Sequence, residues 1–598
     1  MEKFSLLDII FNKDDQNDAD SSAKSHGFFT REFSGSVTKR FKRILSTGFF
    51  RFSKAFSYLL SHISVKVYGT ALLSFGLLST LLYFLRISAD ERVVTPIVGI
   101  AFACFSIPFL LSDKPLPILL QDFRPTDYLF FEFFCMKRHT IFENQKKFPL
   151  IGAVAIGFAP ALLSTVVPLW QIALAIGVIV CIYIGMESPE FLFLASLASI
   201  PFIGLVPNAD LILAATLILA VISFLKKVIY GKRVIYFEQY DIFILIMLLF
   251  ILISGIFVKG VESFSGSVRM IVFALGYFLS GNIITNHRLA ERSANSIIVP
   301  GAIASLISLG QLIGILIRSG GHIETSELNV LLARADGMAV LLIASAIFAV
   351  GMIRRPSLPA RAIYVFSAVI SIIGLILSGE VFAVIALIIG SFAYLIIKTN
   401  KLIGLLLPAF LLIPLAFLLL PNSLLNLIFT YSPSIGTAEE LFTLWKNSLE
   451  VFFYNIFVGI GIGSESFAEE MAALGTVGYP DSSNLFIELG LEAGVFAFLC
   501  FCMILITRLR HRSSRYLYIR NSQIEALSIS SGVCLFCLLA FGMVNYIWSD
   551  SSAYYLFWCI FGIGSATLRV AKRDYDDQVL YYEETSALDS SVIDIEIG

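Results

Sequence analysis

Three side chains able to do acid–base or hydrogen-bonding chemistry recur at four-residue spacing in an otherwise apolar stretch: Asn484, Glu488 and Glu492. On an α-helix, which turns about 100° per residue, they fall within about 80° of one another and share a face. Carboxylates in a membrane helix are costly unless they face protein or a water-filled cavity. The stripe therefore points either to a hydrated site or to hydrogen bonds that hold helices together. Upstream lie the glycine-alternating segment Gly459-Ile460-Gly461-Ile462-Gly463 and the turn Tyr479-Pro480-Asp481-Ser482-Ser483, which brings a further carboxylate, Asp481, next to the start of the helix. Gly490 and Gly494 form a GxxxG pair on another face, a pattern that predicts close helix packing. The glycine segment is not a nucleotide fingerprint, because no strand–helix unit surrounds it. Neither a Walker motif nor a Gly-x-Ser-x-Gly elbow is present. Cys534 and Cys537 have CxxC spacing but no His or acidic ligand nearby, which reads as packing. The expectation is chemistry without metal or cofactor.

What must position these residues is a helical membrane bundle. The 598 residues are 57% hydrophobic and only 15% charged, against about 25% charged in a soluble domain. The net charge of −1 supplies no basic field for nucleic acid. Apolar runs that span, or nearly span, a bilayer lie near 67–86, 93–112, 150–168, 169–186, 190–206, 209–225, 239–258, 267–285, 295–317, 337–353, 361–378, 381–397, 401–420, 484–506, 524–548 and 553–570, about sixteen in all. The fold class expected is all-α, a polytopic transmembrane bundle with one large extracytoplasmic helical loop. Its parts are a basic N-terminal arm at 1–65, a bundle at 66–420, an extracytoplasmic loop at 421–483, C-terminal spans at 484–570 and an acidic cytosolic tail at 571–598, expected to be disordered from 574 on. Residues 36–66 interleave Lys and Arg with Phe, as a positive flank or a membrane-surface helix would. Residues 437–453 read as an amphipathic helix with Leu441, Trp445 and Leu449 on one face. With both termini in the cytosol, the basic clusters from Lys114 to Arg573 all fall on the inner side, as the positive-inside rule requires of a cytoplasmic-membrane protein.

That topology leaves few cations outside: Arg92, Lys259, Arg269, Arg318, Arg334 and Lys446. Arginine suits phosphate because its fork offers several fixed donors and keeps its charge. Several arginines on the surface that carries the 421–483 loop point to an anion site there. His322 is the one histidine placed outside.

Residues 457–501 resemble the C-terminal signature of the O-antigen ligase and polysaccharide polymerase family, on the Gly turn, Asn484, Glu488 and Gly494. The likeness extends more weakly from Arg269 to Phe501. It implies a membrane glycosyltransferase that moves or polymerises glycan from a polyprenyl-diphosphate-linked donor to a glycan acceptor at the outer membrane face. Arg334, in Leu-Ala-Arg-Ala-Asp-Gly, resembles a diphosphate-binding position; Arg269, Arg318, Asn484, Glu492 and Glu380 complete the expected substrate contacts. Two positions depart from the family pattern. Ser483 stands where the family has a His, and Ser378-Gly379-Glu380 stands where it has Ser-Arg-Gly. With that His gone, Asp481, Glu488 and His322 are the available bases. Two alternatives remain at this point. A transporter or lipid-linked oligosaccharide flippase would usually show repeated halves, and no internal repeat is visible. A family member that has lost catalysis would fit the missing His and Arg.

Overall fold

The computed structural model describes residues 63–84, 96–127, 150–164, 185, 188–205, 209–229, 233–258, 261–318, 335–354, 358–399, 437–476, 478–515 and 522–596. The arm at 1–62, the runs expected at 169–186 (but for residue 185) and 401–420, and the first part of the loop at 421–436 lie outside them. Among the described residues the architecture is helical, with one isolated bridge between Ser64 and Pro115. This is what a bilayer demands, since a helix satisfies its backbone within itself. Among the described residues nine helices are long and apolar enough to cross a membrane, and five shorter apolar helices accompany them. The chain is thus a multi-pass membrane protein.

It forms two compact units. One comprises Met1–Leu192 with Ile222–Val234. In it α1 (Val65–Phe84) packs on α2 (Pro96–Leu110) and on α4 (Leu150–Leu163), while α3 (Leu116–Asp122) is short. Here Glu190, at the start of α5 (Pro189–Ser199), pairs with Lys227 at 2.7 Å and Arg233 at 2.6 Å, the former near the end of α6 (Ala209–Ile229).

The other unit comprises Phe193–Val221 and Ile235–Gly598. Its centre is the first part of α17 (Ser551–Glu596), where every side chain from Ser551 to Leu568 is buried. Against α17 pack α8 (Val261–Ile283) and α16 (Ser522–Phe541), while α7 (Asp241–Phe257) pairs with α15 (Leu485–Arg515). The unit also holds α9 (His287–Arg318), α10 (Ala335–Met352), α11 (Leu358–Leu377) and α12 (Val381–Thr399); α10 packs on α11 and α16, and α12 on α16. On α11 the large apolar side chains Phe366, Val369 and Ile376 are exposed, while Ser367, Ala368, Ser371 and Gly374 face inward. The buried face also takes Tyr364, Ile370 and Leu375, but its small residues, with large apolar ones turned outward, depart from the pattern of a soluble helix. Lipid gives no hydrophobic reward for burying a leucine, so close backbone approach and hydrogen bonds, such as Ser345 Oγ to Ser371 Oγ at 2.9 Å, do the joining.

Three sequence expectations change. The run at 524–548 is not one span: α16 stops at Phe541 and an irregular segment with a 3₁₀ turn at Ile547–Ser549 follows. The stretch expected to be disordered from 574 is helical as far as Glu596, where α17 ends. The amphipathic helix is present as α13 (Ala438–Tyr454), but its buried face is Leu441, Leu444, Ser448 and Val451, with Leu449 exposed. Spacing of 3 and 4 residues, rather than 4 alone, tracks one helix face. Thr437 and Glu440 close its N-terminus as a reciprocal capping box. A further short helix, α14 (Ser464–Ala473), precedes the site and buries Phe467 and Met471.

Candidate active site

The site is built around a break in α15. Gly494 has φ 80° and ψ 173°, a conformation open in practice only to glycine. The break frees the carbonyls of Leu491 and Glu492, which a continuous helix would have bonded to residues 495 and 496. The glycine-alternating segment fills the gap: Ile460 N donates to Leu491 O at 2.9 Å, Gly461 N to Glu492 O at 3.2 Å, and Val495 N turns outward to Ile456 O at 2.8 Å. Ser254 Oγ of α7 also donates to Glu492 O, at 2.6 Å, and Ile462 N donates to Ser263 Oγ of α8 at 3.0 Å. Backbones approach so closely that a Cβ on Gly459, at φ 79°, would lie 2.6 Å from Leu491 O. The GxxxG expectation is therefore half corrected. Gly490 does pack closely, against the Phe452 ring, whereas Gly494 ends one helical segment and starts another.

This arrangement gathers the expected stripe. Asn484 is an N-cap: its Oδ1 accepts from Phe486 N at 2.9 Å and Ile487 N at 3.1 Å, and its Nδ2 donates to Met543 O at 2.7 Å. Leu485 N donates to Gly542 O at 2.7 Å, so the turn and the segment after α16 are stitched together. Glu488 is 1% exposed and its Oε2 accepts from Ser482 N at 2.7 Å. Glu492 is 3% exposed; its Oε1 accepts from Gly463 N at 3.2 Å and its Oε2 from Tyr546 OH at 2.5 Å. Burial first, then the Glu492 charge, pushes the Tyr546 hydroxyl well above its ordinary range, so it remains the donor. Asp481 is half-buried, and its Oδ1 accepts from Ser483 N at 2.9 Å. Ser483 has φ 51°, a left-handed turn residue. The charge of Asp481 acts on both glutamates, and that of Arg269, exposed on α8, acts on Glu492.

The structure thus brings Asp481, Asn484, Glu488 and Glu492 together, with Arg269 near them. His322 and Arg334 lie outside the described residues; Arg318 ends α9. Gly337, three residues after Arg334, sits against the Asp550 carboxylate in the segment that also delivers Tyr546. Glu380 is 2% exposed in the turn between α11 and α12, its N–H 3.5 Å from Ser378 Oγ. Sequence reasoning missed Tyr546, Ser254 and Ser263. Asn545 and Asp550, which flank Tyr546 in Phe541-Gly-Met-Val-Asn-Tyr-Ile-Trp-Ser-Asp550, interrupt the apolar run and were a readable signal. Next to the site buried Trp548 packs edge-on against Phe501 and Tyr554, with ring centroids 5.1 and 5.0 Å apart.

No group of three or more His, Cys, Asp or Glu with metal-binding geometry occurs among the described residues. Residues 366–502 match the family model described as O-antigen ligase. No curated protein matches the chain.

Proposed function

We propose that this chain, an O-antigen ligase/polymerase-like membrane protein by the match over residues 366–502, transfers glycan from a polyprenyl-diphosphate-linked donor to a glycan acceptor at the outer face of the cytoplasmic membrane. The observation that carries this reading is the broken helix. It holds Glu488, Glu492 and Tyr546 in one buried cluster, with half-buried Asp481 beside it and the charge of exposed Arg269 acting on Glu492, and the break and all three carboxylates lie inside the matched segment.

In this mechanism the acceptor hydroxyl oxygen attacks the anomeric carbon, the bond from that carbon to the diphosphate oxygen breaks, and the lipid diphosphate leaves with the electron pair. Asp481, the one carboxylate of the three that reaches the surface, takes the hydroxyl proton. Arg269 and Arg334 meet the charge that develops on the leaving diphosphate. Glu488 and Glu492 position the turn and the glycine segment through Ser482 and Gly463. Asn484 ties the turn to residue 543.

Arg269→Ala tests the reading. Loss of a charge-assisted contact of about 1.5–3 kcal/mol lowers transfer roughly ten- to a hundredfold. In proteoliposomes supplied with donor lipid, donor consumption falls by that factor at equal protein level. Unchanged consumption removes Arg269 from the site. The topology is tested with single cysteines in a Cys-depleted background. Thr443→Cys, exposed on α13, reacts with an impermeant maleimide from outside, and Arg510→Cys, exposed near the end of α15, only after permeabilisation. The reverse pattern rules out catalysis at the outer face.

A further inference from the structure

Toward the far end of α15 lies a second constellation that the transfer reaction does not use. Arg508 and Arg512 are one helical turn apart on the same face, and they are 8% and 5% exposed. Arg508 comes 14 residues after the break at Gly494, roughly 21 Å along a helix rising 1.5 Å per residue. Both line a cavity of about 100 Å³ whose walls are apolar: Ile397 of α12, Leu505 of α15, and Leu535, Phe536 and Leu539 of α16. The floor includes Gly532.

Arg508 makes no ion pair with any described residue. Its partners are the Tyr240 hydroxyl at 3.5 Å and the faces of Tyr240 and Phe561, at 5.8 and 5.3 Å. Arg512 Nη1 donates to Ser528 O at 2.7 Å and Ser528 Oγ at 2.8 Å. Two like charges on one buried helix face repel each other, and ring faces and a neutral hydroxyl do not neutralise Arg508. An anion between the guanidiniums would. The walls say what carries it, since an inorganic anion has no use for aliphatic side chains, whereas the acyl chain of a lipid does.

We infer that this cavity binds an anionic phospholipid, its phosphate held by Arg508 and Arg512 and the start of its acyl chain lying against Leu505, Leu535 and Leu539. Guanidinium forks match phosphate oxygens, and sites of this kind between helices suit lipid headgroups. The lipid then acts as part of the packing between α12, α15 and α16, by occupying space that protein side chains leave open.

The test uses the full chain, purified in detergent and stripped of lipid, and native mass spectrometry with three probes: phosphatidylglycerol, phosphatidylcholine and soluble glycerol phosphate. One phosphatidylglycerol should bind at least tenfold more tightly than phosphatidylcholine, and glycerol phosphate should bind weakly. Gly532→Leu fills the cavity; a Cβ at Gly532 is in ordinary contact with Ile397 at 3.6 Å and with Arg512 Nη1 at 3.7 Å, so the backbone accepts it and the added side chain takes the space beside Arg512. It should reduce phosphatidylglycerol affinity at least tenfold, as should Arg508→Gln. If Arg508→Gln fails to fold, Gly532→Leu and the wild-type lipid comparison keep the test decisive. Equal affinity for the two phospholipids overturns the proposal. So does binding of glycerol phosphate as tight as that of the lipid, which would make this a free-anion site, and so does selective binding that survives Gly532→Leu.

Discussion

Gly494→Val should abolish glycan transfer and lower stability by about 1–3 kcal/mol, the usual cost of holding a side chain in a glycine-only backbone region. A Cβ there would lie 2.7 Å from the Phe457 carbonyl carbon and closer still to its oxygen. The chain has one local escape, which is to straighten α15. The carbonyls of Leu491 and Glu492 would then bond to residues 495 and 496, and Ile460 N and Gly461 N would lose their acceptors. Gly463 would swing away from Glu492 Oε1, and the carboxylate cluster would lose its wall. Gly490→Ala is the control. Its Cβ meets the edge of the Phe452 ring at 3.3 Å, a contact that a shift of a few tenths of an ångström relieves, and activity should stay within a few-fold. Thermal melting and donor turnover at matched protein level check both variants. A Gly494→Val protein with normal melting and turnover would show that the break is dispensable.

Asp481→Asn should lower turnover about a hundredfold, the usual size of a general-base contribution, with melting unchanged. Glu488→Gln should stay within a few-fold, because an amide oxygen can still accept from Ser482 N, the contact Glu488 makes now. The two substitutions therefore separate proton transfer from positioning. If the order is reversed, Glu488 is the base; if both leave turnover intact, His322 or a base-free mechanism accounts for the reaction. Ser483→His adds a third arm. The φ of 51° at Ser483 lies in a region that His tolerates better than most residues. The substitution should fold, place an imidazole beside Asp481, and restore part of the turnover lost in Asp481→Asn.

Several features were decided by local sequence. Hydropathy alone located the helices: fourteen of the sixteen expected runs fall on helices among the described residues, because in lipid any long apolar segment must become helical to satisfy its backbone. The capping box at Thr437 and Glu440 and the four-residue spacing of Asn484, Glu488 and Glu492 are also local, and the structure keeps both. The order Gly segment, turn, carboxylate helix carried the family resemblance without any knowledge of contacts.

Tertiary structure decided the rest. Gly490 and Gly494 look alike in a GxxxG pair, yet one packs and the other breaks the helix. What separates them is the segment 456–461, more than thirty residues upstream of Gly494, which supplies donors and an acceptor for the freed groups. Tyr546 read as part of a span because hydropathy counts an aromatic ring as apolar wherever it sits. Its role comes from a hydroxyl that meets Glu492 across 54 residues. The buried face of α13 escaped for a related reason. A helix edged with Trp445, Leu449 and Phe453 offers two apolar faces, and only its neighbours select the one that goes inside. Local preference chose the helices, and the partners of a few freed backbone groups and buried carboxylates chose the site.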